Sequence, residues 1–232
     1  MGKNVKDGRG YNPEYVFVCL LVDNIYYVNS KASPYFFFGG ACFFLGGIEM
    51  IFEEKKIILK NGVTAILKTP EIFDAEMLLD SIKTSTGETE FLSRTIEAWE
   101  SVTVENEEKF IYNVRESLNT LFIACYVDGV IAGNCDITFK TGSKTSHRAT
   151  VGIALQKKYW NIGIGSAMFK ELIKTAEEHI GTEIVDLEFI EGNNRAKALY
   201  EKFGFEVISV KSKYFKFKDG TYQNLVYMQK YL

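Results

Sequence analysis

The sequence predicts an α+β fold built around a mixed sheet, and three observations lead to this prediction. Apolar runs flank an Asn-Gly or Asp-Gly pair at three places, and such pairs are the strongest short signal for a β-hairpin. Segments with apolar residues at helical spacing lie between these hairpins. In chain order the elements run ββααβββαβαββ, which differs from the regular βαβ alternation of a parallel sheet.

The elements before residue 120 start with a hairpin that turns at Asn61-Gly62. After Pro70, apolar residues recur at helical spacing, and the same spacing returns among charged residues further on. The polar stretch between these two helices contains Gly87 and predicts a loop. The predicted elements are strands at 55–60 and 63–69, helices at 72–84 and 104–116, and a loop at 84–90.

The elements after residue 120 begin with a hairpin that turns at Asp128-Gly129 and end with one that turns at Asp219-Gly220. Between them, two helical patterns alternate with apolar strands. The predicted strands are 120–127, 130–139, 149–155, 184–190, 207–217 and 222–228, and the predicted helices are 163–178 and 194–203.

Composition and charge argue against several classes of protein. The 232 residues carry 27 Lys and Arg against 30 Asp and Glu, which gives a formal net charge of −3. A dedicated nucleic-acid binder would show a basic face instead. The four cysteines form no Cys-x-x-Cys pair and only two histidines are present. We therefore expect no metal site, and free thiols in a reducing compartment.

Residues 1–49 form an extension rich in aromatic residues and glycine, ahead of a regularly patterned domain at residues 50–232. A signal peptide is disfavoured because Asp23 interrupts the apolar run. A membrane span is disfavoured because residues 35–48 fall short of the roughly 20 that a span needs. The remaining hypothesis is an over-extended gene start, in which translation begins at Met50.

The most informative segment for function is a glycine loop at residues 159–166, between a strand and a helix. Gly163 and Gly165 let the backbone approach a ligand, and the free amides of the helix's first turn suit a phosphate. A tight turn without a ligand is the other interpretation. A dinucleotide fingerprint fits poorly because Met168 occupies the position of its third glycine.

A second segment, Asn193 to Phe205, predicts a capped helix that stops at Gly204. Leu199 and Phe203 are expected in the core, and Tyr200 could be a packing residue as well.

Together and in this order, the two segments resemble the GNAT family of acetyl-CoA-dependent N-acetyltransferases, over roughly residues 63–232. The resemblance implies a mixed, mostly antiparallel central sheet flanked by helices, with the cofactor in a V-shaped splay between two strands. It implies acetyl transfer from acetyl-CoA to a primary amine by direct attack, with both substrates bound together.

The same resemblance assigns the residues that bind acetyl-CoA. The family's Q/R-x-x-G-x-G/A loop falls on residues 160–165, and its first position departs from the pattern because it is Trp160. Asn193 matches the asparagine that bonds the pantetheine arm. The cofactor-binding residues implied are Ile153, Ala154, Leu155, Trp160, Asn161, Ile162, Gly163, Ile164, Gly165, Ser166, Asn193 and Lys202.

For the chemistry, the resemblance makes Tyr200 the acid that protonates the departing thiolate, and a backbone amide of residues 152–155 the stabiliser of the developing oxyanion. The base is left open between Glu188 and Glu191, which alternate onto opposite faces of one strand, and a solvated role is an alternative for both. His147 is a further candidate base or a surface residue. Glu88 and Glu90 form an acidic pair that either attracts a cationic amine or flanks a helix.

Two other functions stay open at this point. The chain could be a catalytically silent acyl-CoA-binding module on the same fold, or, with weaker support, a nicotinamide binder. As an enzyme it would act in the cytoplasm on a small-molecule amine or on the amine of a protein or peptide. No nucleic-acid or membrane partner is expected, and a homodimer remains open.

Overall fold

The computed structural model describes residues 50–232 and, before them, the backbone of two short strands, β1 (Tyr35–Phe38) and β2 (Ala41–Phe44). The chain divides into two units, Met1–Ile48 and Glu49–Leu232. In the first unit β1 and β2 pair antiparallel, with Tyr35 opposite Phe44. The hypothesis of a gene start at Met50 concerns residues that otherwise lie outside the described part of the chain.

The second unit is built on an eight-stranded sheet in the order β3-β4-β5-β6-β7-β8-β10-β9. The strands are β3 (Lys55–Ile58), β4 (Thr64–Lys68), β5 (Thr120–Val127), β6 (Val130–Phe139), β7 (Arg148–Leu155), β8 (Ile184–Ile190), β9 (Glu206–Lys216) and β10 (Tyr222–Tyr231). Every neighbouring pair is antiparallel except β7 with β8, which is parallel. The predicted α+β fold with a mixed, mostly antiparallel sheet is therefore confirmed.

Within residues 50–232, five α-helices accompany the sheet: α1 (Ala75–Gly87), α2 (Ile96–Glu100), α3 (Val104–Arg115), α4 (Ile164–Glu178) and α5 (Asn194–Lys202). Strand β5 shows why helices cover both faces, since its alternate side chains enter two different cores. Phe122 and Tyr126 pack with Leu78 of α1 and Ile111 of α3. The intervening residues, such as Ile123, pack in a core that includes α4. The site described below lies where this sheet opens.

Two features of the segment before residue 104 differ from the prediction. Helix α1 continues to Gly87 through a stretch predicted as loop. Its polar residues can stay helical because Ser85 Oγ donates to the Ser81 carbonyl (2.8 Å) and Gln156 Nε2 donates to Ser81 Oγ (3.0 Å). The short helix α2 was not predicted, because five residues are too few to show a helical period.

The parallel strands β7 and β8 stay together over only three residue pairs, Arg148 with Ile184 to Thr150 with Asp186. Beyond Thr150, β7 follows β6, while β8 follows β10 to its end. An ion pair holds the closed end, where Arg148 Nε donates to Asp186 Oδ2 (2.8 Å) and Tyr227 Oη donates to Asp186 Oδ1 (2.7 Å). The two strands therefore form the V-shaped splay that the resemblance implies.

Within residues 50–232, no helix combines the length and the apolar character needed to cross a membrane. Cys125 and Cys135 are buried free thiols.

Candidate functional site

A cleft of about 1370 Å³ occupies the splay between β7 and β8 and continues toward the face of the sheet that α1 and α3 cover. Of the residues implied by the resemblance, those that line it are Ile153, Ala154, Leu155, Trp160, Asn161, Gly163, Gly165, Ser166, Glu188, Asn193, Tyr200 and Lys202. The fold therefore brings residues from five separate segments to one cavity.

The backbone of β7 presents unpaired groups to this cleft. Lys140 N donates to the Arg148 carbonyl and Gln156 N donates to the Ala132 carbonyl, and both bonds join β7 to the β6 side. In an antiparallel ladder the bonding direction alternates along the strand. The N–H and C=O groups of Ile153 and Leu155 must then point away from β6, into the splay. A ligand that lies there can pair with both groups of Ile153 and with the Leu155 N–H as an added strand would, whereas the Leu155 carbonyl already accepts from Trp160 Nε1.

The glycine loop turns the chain so that the start of α4 faces the same cleft. Asn161 has φ +65° and Gly163 has φ +102°, a left-handed conformation that glycine adopts without strain. The first intrahelical bond of α4 runs from Ala167 N to the Gly163 carbonyl. The amides before Ala167 have no partner within the helix, and together with the helix dipole they form an anion site.

Trp160, the residue that departs from the family pattern, holds the loop against β7. Its Nε1 donates to the Leu155 carbonyl (2.8 Å). The guanidinium of Arg195 lies 3.8 Å from the Trp160 ring centre and donates to Asn161 Oδ1 (3.2 Å). Partial burial lowers the pKa of Arg195. Trp160 thus orients a cation beside the start of α4.

Helix α5 and its cap residue line one side of the cleft. Asn193 caps it, because its Oδ1 accepts from Ala196 N (3.1 Å). Lys202 Nζ donates to Ser166 Oγ (3.1 Å), which adds a second cation beside the start of α4.

Tyr200 is the most deeply buried polar candidate on this helix, with 6% of its surface exposed. Its ring packs against Phe169, Phe189 and Phe205 at centroid distances of 5.3 to 6.3 Å. Burial raises the pKa of Tyr200 to about 12. The hydroxyl therefore stays protonated at neutral pH and can act as a proton donor.

The structure separates the two glutamates proposed as base. Glu188 lines the cleft, is exposed, and has Lys211 Nζ 3.4 Å from its Oε1. Glu191 does not line it, and its Oε2 accepts from Asn224 Nδ2 (2.8 Å).

Other candidates do not line the cleft. His147 precedes the closed end of β7, where its carbonyl accepts from the amides of Glu183 and Ile184. Glu88 accepts from Lys157 N (2.5 Å), and Glu90 is exposed. Two residues of the glycine loop do not line the cavity as expected. Ile164 is part of the hydrophobic core, and Ile162 packs against that core.

Two carboxylates that line the cleft were not identified from the sequence, Glu107 of α3 and Asp136 of β6. Burial raises the pKa of Asp136 to about 6. The signal was present in the sequence, since an aspartate interrupts the apolar strand between Cys135 and Ile137. The end of the cleft beyond Asp136 is lined by Thr86, Arg94, Trp99, Glu107 and Phe110, among others.

Comparison with known proteins gives a consistent result. The model of the acetyltransferase (GNAT) family matches residues 85–205. An L-amino acid N-acetyltransferase of Escherichia coli K12 is 29% identical over 106 residues, which cover 46% of this chain and 64% of that protein. A probable N-acetyltransferase of Drosophila melanogaster is 31% identical over 114 residues, which cover 49% of this chain and 61% of that protein. The chain thus spans less than two thirds of the length of either relative.

Among solved structures, a GNAT-family acetyltransferase from Streptococcus pneumoniae superimposes with a TM-score of 0.67 at 26% identity. The match covers 72% of this chain and 99% of that one.

Proposed function

The chain belongs to the GNAT acetyltransferase family, and we propose that it is an N-acetyltransferase that moves the acetyl group of acetyl-CoA to a primary amine. The observation that carries this proposal is the splay of β7 from β8 beside the start of α4. The splay offers a strand edge to an extended arm, and the helix start offers amides to a phosphate.

The described residues fit acetyl-CoA in two respects. The outward N–H and C=O groups of Ile153 and the N–H of Leu155 suit the amides of a pantetheine arm, and the Asn193 side chain lies at the same cleft. The first-turn amides of α4, with Arg195 and Lys202 nearby, suit a pyrophosphate. Acetyl-CoA supplies the acetyl group as a thioester, whose carbonyl carbon the amine attacks.

The protein's part in the reaction is to move protons and to stabilise charge. An alkylammonium group has a pKa of about 10.4, so a base must take its proton before the amine can attack. Of the two glutamates foreseen, Glu188 is the better placed proton acceptor because Asn224 engages Glu191. The Ile153 amide suits the negative charge that develops on the carbonyl oxygen. Tyr200 Oη donates its proton to the departing sulfur.

The acceptor is a small amine or the amine of a peptide. The relative from Escherichia coli acts on L-amino acids, and Arg94, at this chain's cleft, could pair with a substrate carboxylate. Trp99 and Phe110 offer apolar surface to a side chain. These features favour an acceptor in which a carboxylate and an apolar group accompany the amine.

The proposal is tested by measuring CoA thiol release from acetyl-CoA with the full chain and pools of amino acids, polyamines, aminoglycosides and N-terminal peptides. We expect release that depends on one pool. Tyr200→Phe should lower turnover by a factor on the order of 10²–10⁴, with acetyl-CoA affinity retained. Tyr112→Phe is the matched control, because Tyr112 is exposed on α3 and does not line the cleft.

Two results would contradict this account. Unchanged turnover in Tyr200→Phe would remove the tyrosine from the mechanism. No release from any pool, while acetyl-CoA still raises the melting temperature, would favour a silent acyl-CoA-binding module.

The proposal extends to location and assembly. The free thiols of Cys125 and Cys135 favour a reducing compartment, the cytoplasm. The edge strand β9 exposes Val207, Ile208 and Val210, which could pair with a second copy. Light scattering of the purified protein would distinguish a homodimer from a monomer.

A further inference from the structure

We propose that Asp136 is the general base of the reaction, the group that takes the proton from the acceptor amine. This assignment rests on the proposed acetyl transfer, and it selects a residue other than the two glutamates foreseen from the sequence. It follows from where the fold puts this carboxylate, from what surrounds it, and from its charge state.

The position of Asp136 follows from strand register. Asp136 lies opposite Gly152 of β7 on one side and opposite Phe122 of β5 on the other. Gly152 is the second residue beyond Thr150, the last β7 residue paired with β8. The carboxylate therefore stands where the cleft begins, one residue from Ile153, whose amide faces the splay.

The absence of a side chain at residue 152 makes room for this carboxylate. A Cβ atom at Gly152 would lie 2.8 Å from Asp136 Oδ1, closer than such atoms approach. The carboxylate thus lies directly over the β7 backbone, on the face of the sheet that carries Phe122. That face also carries the part of the cleft assigned to the acceptor, so an amine would reach the strand from the side of Asp136.

The carboxylate has no stabilising partner of its own. Within residues 50–232, no donor is found within hydrogen-bond distance of Asp136, and burial alone accounts for the rise of its pKa to about 6. Charged and titratable side chains of the other elements that line the cleft are Arg94, Glu107 of α3, Glu188 of β8, Tyr200 and Lys202 of α5, Arg195, and Lys60. Asp136 is half-buried in the wall of the cleft. A partly desolvated carboxylate without a protein donor is costly, and an incoming ammonium group would supply that donor.

Glu188 is the less suitable base of the two. It is exposed, and Lys211 lies 3.4 Å from it. Within residues 50–232, no cation lies at hydrogen-bond distance from Asp136. Its raised pKa reduces the pKa difference between the carboxyl and an ammonium group by about two units. The equilibrium constant for proton transfer from the ammonium group to Asp136 rises by on the order of a hundredfold as a result. At pH 7 Asp136 is nevertheless still mainly ionised, as a base must be.

Each proton of the reaction has a donor and an acceptor. An N–H bond of the ammonium breaks and an O–H bond forms on Asp136. The nitrogen lone pair then forms the C–N bond as the C–S bond breaks, and Tyr200 gives its proton to sulfur. The nitrogen loses its second proton, which replaces the one lost by Tyr200. Asp136 releases its proton to water, so one proton leaves for each amide formed.

The test compares kcat/KM of the wild type, Asp136→Asn and Glu188→Gln between pH 5.5 and 9, with the best amine from the pools. Asp80→Asn is the matched control, because Asp80 is exposed on α1 and does not line the cleft. The wild type should lose activity below about pH 6. Asp136→Asn should be slower by on the order of 10²–10⁴ at pH 7. The ratio of wild-type to variant kcat/KM should fall about tenfold per pH unit, because the variant depends on the unprotonated amine, whose fraction rises with pH.

A second variant moves the carboxylate without removing it. In Gly152→Ala the new methyl must displace Asp136 Oδ1, so we expect a lower kcat with acetyl-CoA affinity retained. The assignment would be overturned if Asp136→Asn lost the same factor in kcat/KM at every pH. Unchanged kcat/KM in this variant would overturn it as well. A loss of kcat/KM that becomes smaller as pH rises, if it is found in Glu188→Gln and not in Asp136→Asn, would also overturn the assignment. A wild type that releases no CoA with any amine would overturn the proposed function itself.

Discussion

Replacing Asp136 by asparagine should make the protein more stable at neutral pH while it impairs catalysis. Burial raises the pKa of this carboxyl from 3.8 to about 6. One pKa unit corresponds to 1.36 kcal/mol, so ionising Asp136 in the folded protein costs roughly 3 kcal/mol more than in the unfolded chain. Asparagine has nearly the same shape as the protonated acid and carries no charge, so it avoids this cost.

The pKa shift of Asp136 also determines how the stability of the wild type changes with pH. Because the folded pKa is raised, the native state binds the proton more tightly, and wild-type stability falls as pH rises from about 4 through 6. The advantage of Asp136→Asn should therefore be roughly 3 kcal/mol at pH 7 and about half of that at pH 5. For a chain of this length, 3 kcal/mol corresponds to a rise in melting temperature of roughly 6–12 °C.

Urea denaturation of both proteins at pH 5, 6 and 7 measures this difference directly. A difference in unfolding free energy that stays constant with pH would refute the reasoning. A less stable Asp136→Asn at pH 7 would also refute it, since that would mean the carboxylate makes stabilising bonds.

Three further substitutions test the backbone around the cleft. Gly163→Ala places a side chain at φ +102°, which should cost about 1–3 kcal/mol and weaken CoA binding in calorimetry; unchanged affinity would contradict the role of the loop. Gly133→Ala places a Cβ 2.8 Å from the Cα of Leu155, so β6 and β7 must separate, and thermal melts should show a loss of about 1–3 kcal/mol. Asn193→Ala removes the cap on α5 and should lower the unfolding free energy by about 1 kcal/mol, whereas an unaltered melt would mean that the cap contributes nothing.

Much of the fold was predictable because its signals are local. The hairpin turns at Asn61-Gly62, Asp128-Gly129 and Asp219-Gly220 each join antiparallel strands, as the dipeptides indicate. The start of α4 was predictable for the same reason, since the glycine that permits a left-handed turn is visible in the sequence. The mostly antiparallel sheet and its splay were expected from the family resemblance, because periodicity alone does not say which strands pair.

The choice of base was not predictable, because it depends on contacts between distant segments. Alternation along β8 leaves two faces open, and only the packing of Asn224 and Lys211 distinguishes Glu191 from Glu188. The sequence shows an aspartate inside an apolar strand, but the place of Asp136 at the cleft is known only once Gly152 is seen to lie opposite it. Trp160 departs from the family pattern, and its bond to the Leu155 carbonyl is a tertiary contact that the motif does not encode.

The most direct test of the central claim is to identify the product by mass spectrometry after the full chain has reacted with acetyl-CoA and the active amine pool. We expect an N-acetylated amine in an amount equal to that of the CoA released, and neither product when the amine is omitted. Release of CoA at the same rate without an amine, or without an acetylated product, would contradict acetyl transfer to an amine.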